Sequence, residues 1–151
     1  MSAEEDHRFY DRRAHGFVRV AASTPAVWTA DVARNAAAIL SEARKARDAG
    51  VDLLLYPELA LSSYAIDDLH LQHAVLDAVE RELAAIVTAS TGLAPVMVVG
   101  APLRRNGRLY NCAAVIAGGK LLGVVPPNSS HYRRAKALST LSSTLLKALQ
   151  H

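Results

Sequence analysis

The chain has 151 residues, of which 51% are hydrophobic and 21% charged; this suits one globular domain rather than a disordered chain. One cysteine excludes an internal disulfide framework and a thiolate zinc cluster, and no apolar stretch is long enough to span a bilayer. The net charge of +3 is local: residues 128–151 hold Arg133, Arg134, Lys136 and Lys147 and no acid, so the body carries no basic footprint for nucleic acid.

The N-terminus, Met1-Ser2-Ala3-Glu4-Glu5-Asp6, is too acidic and polar for a signal peptide. With a single thiol it points to a reducing, cytoplasmic location. Phe17–Ala22 alternates and predicts a first strand. Asp31 is a candidate N-cap, because its carboxylate can accept the orphan N–H groups of a helix start. Val32, Ala36, Ile39, Ala43 and Ala46 recur at helical spacing, and Gly50 ends that helix. Val51–Tyr56 predicts a second strand, so the first two strands should form a parallel βαβ unit.

Pro57 follows at once and stops the ladder, since it has no N–H to donate. Glu58 then stands at a strand's carboxyl end, where open α/β sheets keep their ligand sites. An acid so close to an apolar run calls for a partner or a task. From position alone, a catalytic carboxylate and a helix cap or solvated loop acid are equally good accounts of it.

Leu71, Val75, Val79, Leu83 and Ile86 predict a second helix, and Pro95–Gly100 a third strand. Asn106-Gly107 and Gly118-Gly119 are turn signals, the second joining Leu109–Ala117 to Lys120–Val125. An αβ half followed by a meander predicts an α/β layered fold with a mixed sheet. Arg104, Arg105 and Arg108 read as solvated hairpin charges. His70 and His73 have metal-ligand spacing without a third ligand, and read as surface histidines, so no metal site is expected. Cys112 reads as a small buried hydrophobe. Gly118-Gly119-Lys120 lacks the spacing of a P-loop. After Pro126-Pro127 the texture changes: residues 128–151 are Ser/Thr-rich and basic, with Leu138, Leu141, Leu145 and Leu149 on one helical face. The expected organisation is a polar segment 1–14, a domain 15–127 and a divergent, helical tail 128–151.

Five ordered blocks carry a resemblance: His15–Ala21, Tyr56–Tyr64, Val98–Leu103, Leu109–Ala113 and Leu122–Pro126. Together they resemble the N-terminal glutaminase domain of bacterial glutamine-dependent NAD synthetases, in the nitrilase, or carbon–nitrogen hydrolase, superfamily. The resemblance implies an α-β-β-α sandwich, of which this chain would hold the first half. It implies a Glu, a Lys and a Cys that hydrolyse glutamine to glutamate and ammonia. Glu58 matches the general base. Tyr64 matches an aromatic that shapes the pocket, and Tyr132, in His131-Tyr132-Arg133, loosely matches another.

The lysine position is occupied by Pro127, and Cys112 does not match the nucleophile. ATP and Mg would belong to a synthetase domain absent here, so no cofactor is expected in this chain. The change at Pro127 suggests a disrupted reading frame and a chain inactive alone. The expected partners are glutamine and either a second copy or an intact homologue, with no nucleic acid and no membrane.

Overall fold

A computed structural model describes residues 11–63 and 73–126. Tyr64, His70, Leu71, Pro127, Tyr132 and the tail fall outside the described residues. A 3₁₀ turn, Arg12–His15, precedes β1 (Val20–Ala22). Then come α1 (Val32–Asp48), β2 (Leu53–Leu55), α2 (His73–Ala89), β3 (Val96–Arg105), β4 (Arg108–Ala117) and β5 (Lys120–Val125). They form one mixed sheet in sequence order: β1, β2 and β3 are parallel, and β3, β4 and β5 antiparallel. The α/β class and the mixed sheet are as the sequence predicts.

Local chemistry explains the elements. Asp31 Oδ1 accepts the Arg34 N–H at 3.1 Å, which caps α1. Gly50, at φ +66°, turns the chain out of that helix. The buried stripe of α1 is Val32, Ala36, Ile39, Ala43 and Ala46, with Asn35 beside it. α2 buries Leu76, Val79, Leu83 and Ile86. The α1 stripe and Val79, Leu83 and Ile86 of α2 pack with Leu54, Met97, Val99, Ala101, Ala114 and Ile116 in one core, so both helices cover the same sheet face. Each fully buried aliphatic side chain there stabilises by about 1.5–3 kcal/mol.

The intervening sheet residues face the other way. Val96, Val98 and Val115 form a second, smaller cluster with Leu53, Ala113 and Leu122. Val20 and Leu55, paired with or neighbouring Leu53 on that side, are 58% and 48% exposed.

Three boundaries differ from the sequence expectation. β1 starts at Val20, because Phe17 and Val18 lie exposed outside the ladder. β2 is only Leu53–Leu55. β3 runs past Gly100 to Arg105, since Met97 through Arg105 all pair with β4. Pro102 is tolerated there because it lies beyond the last β2–β3 pair, Leu55 with Val98. Arg104 is also more than a hairpin charge: it ion-pairs with Asp77 at 2.5 Å and meets exposed His73 at 2.7 Å, tying β3 to α2.

Candidate active site

Glu58 follows β2 by three residues, at the carboxyl end of the parallel strands. The chain does not simply leave the sheet there. Tyr56 donates its N–H to Val98 at 3.0 Å, and Leu61 donates to Gly100 at 3.2 Å. Between those two bonds Pro57–Ala60 bulges away. Pro57 can make no ladder bond of its own. Its carbonyl accepts the Ala60 N–H at 3.3 Å, and the Leu59 carbonyl accepts from Ser62 and Ser63. Leu59 takes the left-handed conformation at φ +52°, a cost of about 1–2 kcal/mol for a residue with a Cβ. Glu58 therefore sits on a tight, held turn rather than at a helix cap.

The bulge crosses β3 at Gly100. A Cβ at that position would lie 2.5 Å from the Pro57 carbonyl oxygen, 2.6 Å from Leu59 N and 2.8 Å from Glu58 Cα. Only glycine fits beneath the turn. Gly100 pairs with Ala113, on the face away from the helices, so Glu58 is presented on that face. Asn111 lies two residues from Ala113 on β4 and therefore shares that side. Its amide Nδ2 donates to Glu58 Oε1 at 2.5 Å.

The turn is buttressed from the helix side. The Tyr56 hydroxyl donates to the Ile39 carbonyl at 2.7 Å. Burial, followed by the charge of Glu42, pushes the Tyr56 phenol far above its usual range, so it stays a donor. Asn35, 1% exposed on α1, accepts from Trp28 N at 2.7 Å. It also donates to the carbonyls of Trp28 at 2.8 Å and Leu61 at 3.2 Å. Arg34 stacks on the Trp28 ring at 3.9 Å. Asn35 thus links α1, the loop before it and the end of the Glu58 turn.

A cavity of about 300 Å³ opens beside Glu58 and is lined by Leu55, Tyr56, Asn111, Cys112 and Val125 among others. Cys112, 6% exposed, is the only thiol of the sequence. Burial raises its pKa, so it stays a protonated, weakly nucleophilic thiol near neutral pH. Among the described residues no three His, Cys, Asp or Glu side chains gather where they could hold a metal ion.

Of the site residues expected from sequence, Glu58, Tyr64 and Tyr132, the structure describes only Glu58, while Cys112, expected as a small buried hydrophobe, lines the same cavity. Gly100, Asn111 and Asn35 were not singled out. Gly100 carried a weak signal as the last residue of an apolar strand. Asn111 and Asn35 carried none: the partner of Asn111 lies 53 residues away, and those of Asn35 lie 7 and 26 residues away.

The carbon-nitrogen hydrolase family model matches residues 19–147. The chain belongs to the carbon–nitrogen hydrolase family. That match runs past Pro127 into the basic tail. Among curated carbon–nitrogen hydrolase relatives, the glutamine-dependent NAD(+) synthetase of Mycobacterium tuberculosis strain H37Rv is 53% identical over 118 residues. The corresponding Mycobacterium leprae protein is 48% identical over 118 residues. Each alignment covers 78% of this chain and 17% of the relative, so the chain spans about a sixth of their length.

Among solved structures, a glutamine-dependent NAD(+) synthetase from Cytophaga hutchinsonii superposes with a TM-score of 0.68 at 25% identity. It is matched over 74% of this chain and 19% of its own. An amidase from Nesterenkonia sp. shares the fold, with a TM-score of 0.58 at 21% identity over 72% of this chain and 42% of its own. Among the described residues no helix is long and apolar enough to cross a membrane.

Proposed function

We propose that this chain carries the general-base part of a glutamine amidohydrolase site of the kind found in glutamine-dependent NAD(+) synthetases. Glu58 is the base. The observation that carries this reading is its setting: a carboxylate on a rigid turn, hydrogen-bonded to Asn111 and facing a cavity. The identity to synthetases named for glutamine supports the substrate.

In the proposed chemistry Glu58 takes the proton of a cysteine thiol, and the thiolate sulfur attacks the carboxamide carbon of glutamine. The carbon–nitrogen bond breaks and ammonia leaves with a proton. Water then cleaves the thioester, releasing glutamate and returning the thiol. Within these 151 residues the sole thiol, Cys112, is buried with a raised pKa and does not fit the nucleophile. The position where the resemblance implies a lysine is Pro127. The attacking thiol and the oxyanion-stabilising lysine would come from other residues, so the 151-residue chain alone would not hydrolyse glutamine. Amidation chemistry using ATP and Mg would likewise lie outside it. A cytoplasmic location fits the single free cysteine.

Substituting this chain for the matching segment of the Mycobacterium tuberculosis relative tests the reading. The chimera should release ammonia from glutamine, and Glu58→Gln should lower that rate about a hundredfold or more. A folded chimera equally active with and without the Glu58 carboxylate would overturn it. Turnover by the 151-residue chain that depends on Glu58 would overturn only its inactivity alone.

A second reading, association with another copy or an intact homologue, is favoured by one observation: Val20 and Leu55 are exposed on the sheet face opposite the helices. Light scattering after size exclusion tests it, and a monomer at all concentrations that stays monomeric when mixed with the relative would exclude it.

A further inference from the structure

We infer that Asn111 is the positioning residue of Glu58, and that Gly100 is the gap that lets the two meet. The inference rests on the reading of Glu58 as a base. Three observations converge on it. The bulge at Pro57–Ala60 lifts Glu58 out of β2 and over β3. β3 offers no side chain at the crossing, because position 100 is glycine and a Cβ there would overlap the backbone of the turn. β4, the next strand over, then supplies Asn111, whose Nδ2 reaches Glu58 Oε1 at 2.5 Å across the bare strand. Two non-adjacent strands are thus joined on the face that carries the cavity.

The chemistry of the partner suits the task. A guanidinium or ammonium at this point would favour the charged form of any carboxylate and make it a poorer proton acceptor. An amide fixes geometry without adding a net charge. A carboxylate oxygen carries more than one lone pair, so the bond from Asn111 does not by itself use up the acceptor capacity of Oε1. Holding a base in one orientation removes the rotational freedom that would otherwise be lost in the transition state. Asn111 is itself held: it stands in the β3–β4 ladder opposite Pro102 and is half-buried.

The test uses nuclear magnetic resonance on the isotopically labelled 151-residue chain, because positioning is read in the Glu58 side chain and not in overall stability. In the wild type, Glu58 side-chain couplings should show one rotamer, and an Asn111 amide proton should resonate downfield, as expected of a hydrogen bond to a charged acceptor. Asn111→Leu should leave the backbone spectrum of the sheet in place and average the Glu58 couplings over rotamers. Asn111→Asp should do the same. The double variant Asn111→Asp with Glu58→Gln reverses the donor and acceptor, and should restore one rotamer at position 58. Rotamer averaging in the wild type would overturn the proposal, as would a Glu58 that stays in one rotamer in both Asn111→Leu and Asn111→Asp. If Asn111→Leu does not fold, the wild-type spectrum and the reversed pair decide. None of these measurements needs glutamine or a thiol. A sound Asn111–Glu58 pair together with a chimera indifferent to Glu58 would sink only the glutaminase reading.

Discussion

The short strand β2 has a carboxylate at each end, and the two are treated in opposite ways. Asp52, just before the strand, is 6% exposed and surrounded by positive groups. Its Oδ1 accepts from Arg13 at 2.5 Å, and its Oδ2 lies 3.4 Å from Arg12 and accepts the Arg19 N–H at 2.8 Å. Burial alone would push its pKa up. The Arg19 N–H, the Arg13 guanidinium and Arg12 outweigh that and hold it below the ordinary 3.8. Glu58, six residues on, is exposed and is held by a neutral amide. A carboxylate ringed by cations is fixed as a charge and pins the 3₁₀ turn at Arg12–His15 to the sheet. The Asn111 amide gives Glu58 a directional contact that adds no net charge. The described partners of the two carboxylates differ in charge, which separates the structural end of β2 from the end where we propose the chemistry.

The largest effect should come from closing the gap under the Glu58 turn. Gly100→Ala places a methyl group 2.5 Å from the Pro57 carbonyl oxygen and 2.8 Å from Glu58 Cα, and both neighbours are backbone. Backbone cannot swing aside as a long side chain can. We expect a loss of about 3 kcal/mol, read from urea unfolding midpoints. A loss below about 0.5 kcal/mol would show that the turn rides higher than described and that Gly100 is not its constraint.

Next in size is Asp52→Asn. It leaves two guanidinium groups facing a neutral amide, but Arg13 and Arg12 are 62% and 33% exposed, so water recovers much of their solvation. The expected cost at neutral pH is about 1–2 kcal/mol. The pH dependence sharpens this. A carboxylate whose pKa is depressed on folding stabilises fully above its unfolded value, here 3.8, and loses that contribution as pH falls through the folded value. The stability gap between wild type and Asp52→Asn should therefore be constant above pH 3.8 and close in stronger acid. A gap that persists unchanged in strong acid would mean the charge of Asp52 is not what pins the turn.

How much of this was legible in the chain follows from the range of each interaction. The apolar run into Pro57 marked Glu58, because a strand, its stop and the acid after it are neighbours in sequence. Asp31 as a cap and Gly50 as a stop were readable for the same reason. The five-block resemblance added a role for Glu58 that position alone left open. Gly100 was taken as the end of a strand, although β3 continues to Arg105, because glycine and Pro102 both weaken a strand signal that the β4 ladder overrides. Asn111 stood inside a predicted strand with no sign of its task. Its partner depends on the register of β3 with β4 and on the height of the bulge over β3, and neither is a local property. Asp52 shows the same limit: its arginine partners precede it by some 40 residues.

The smallest expected effect is the one that separates the two ends most cleanly. Glu58→Gln keeps the length and shape of the side chain and leaves a carbonyl oxygen that can accept from Asn111. Glu58 is exposed, so its charge interacts through a high dielectric. The change in unfolding free energy should stay within about 0.5 kcal/mol, although the same substitution removes the proposed base. Urea midpoints for Asp52→Asn and Glu58→Gln, taken side by side at neutral pH, compare one charge-neutralising change at each end of one strand. If Glu58→Gln costs as much as Asp52→Asn, Glu58 is a structural anchor like its counterpart, and the division of labour along β2 fails.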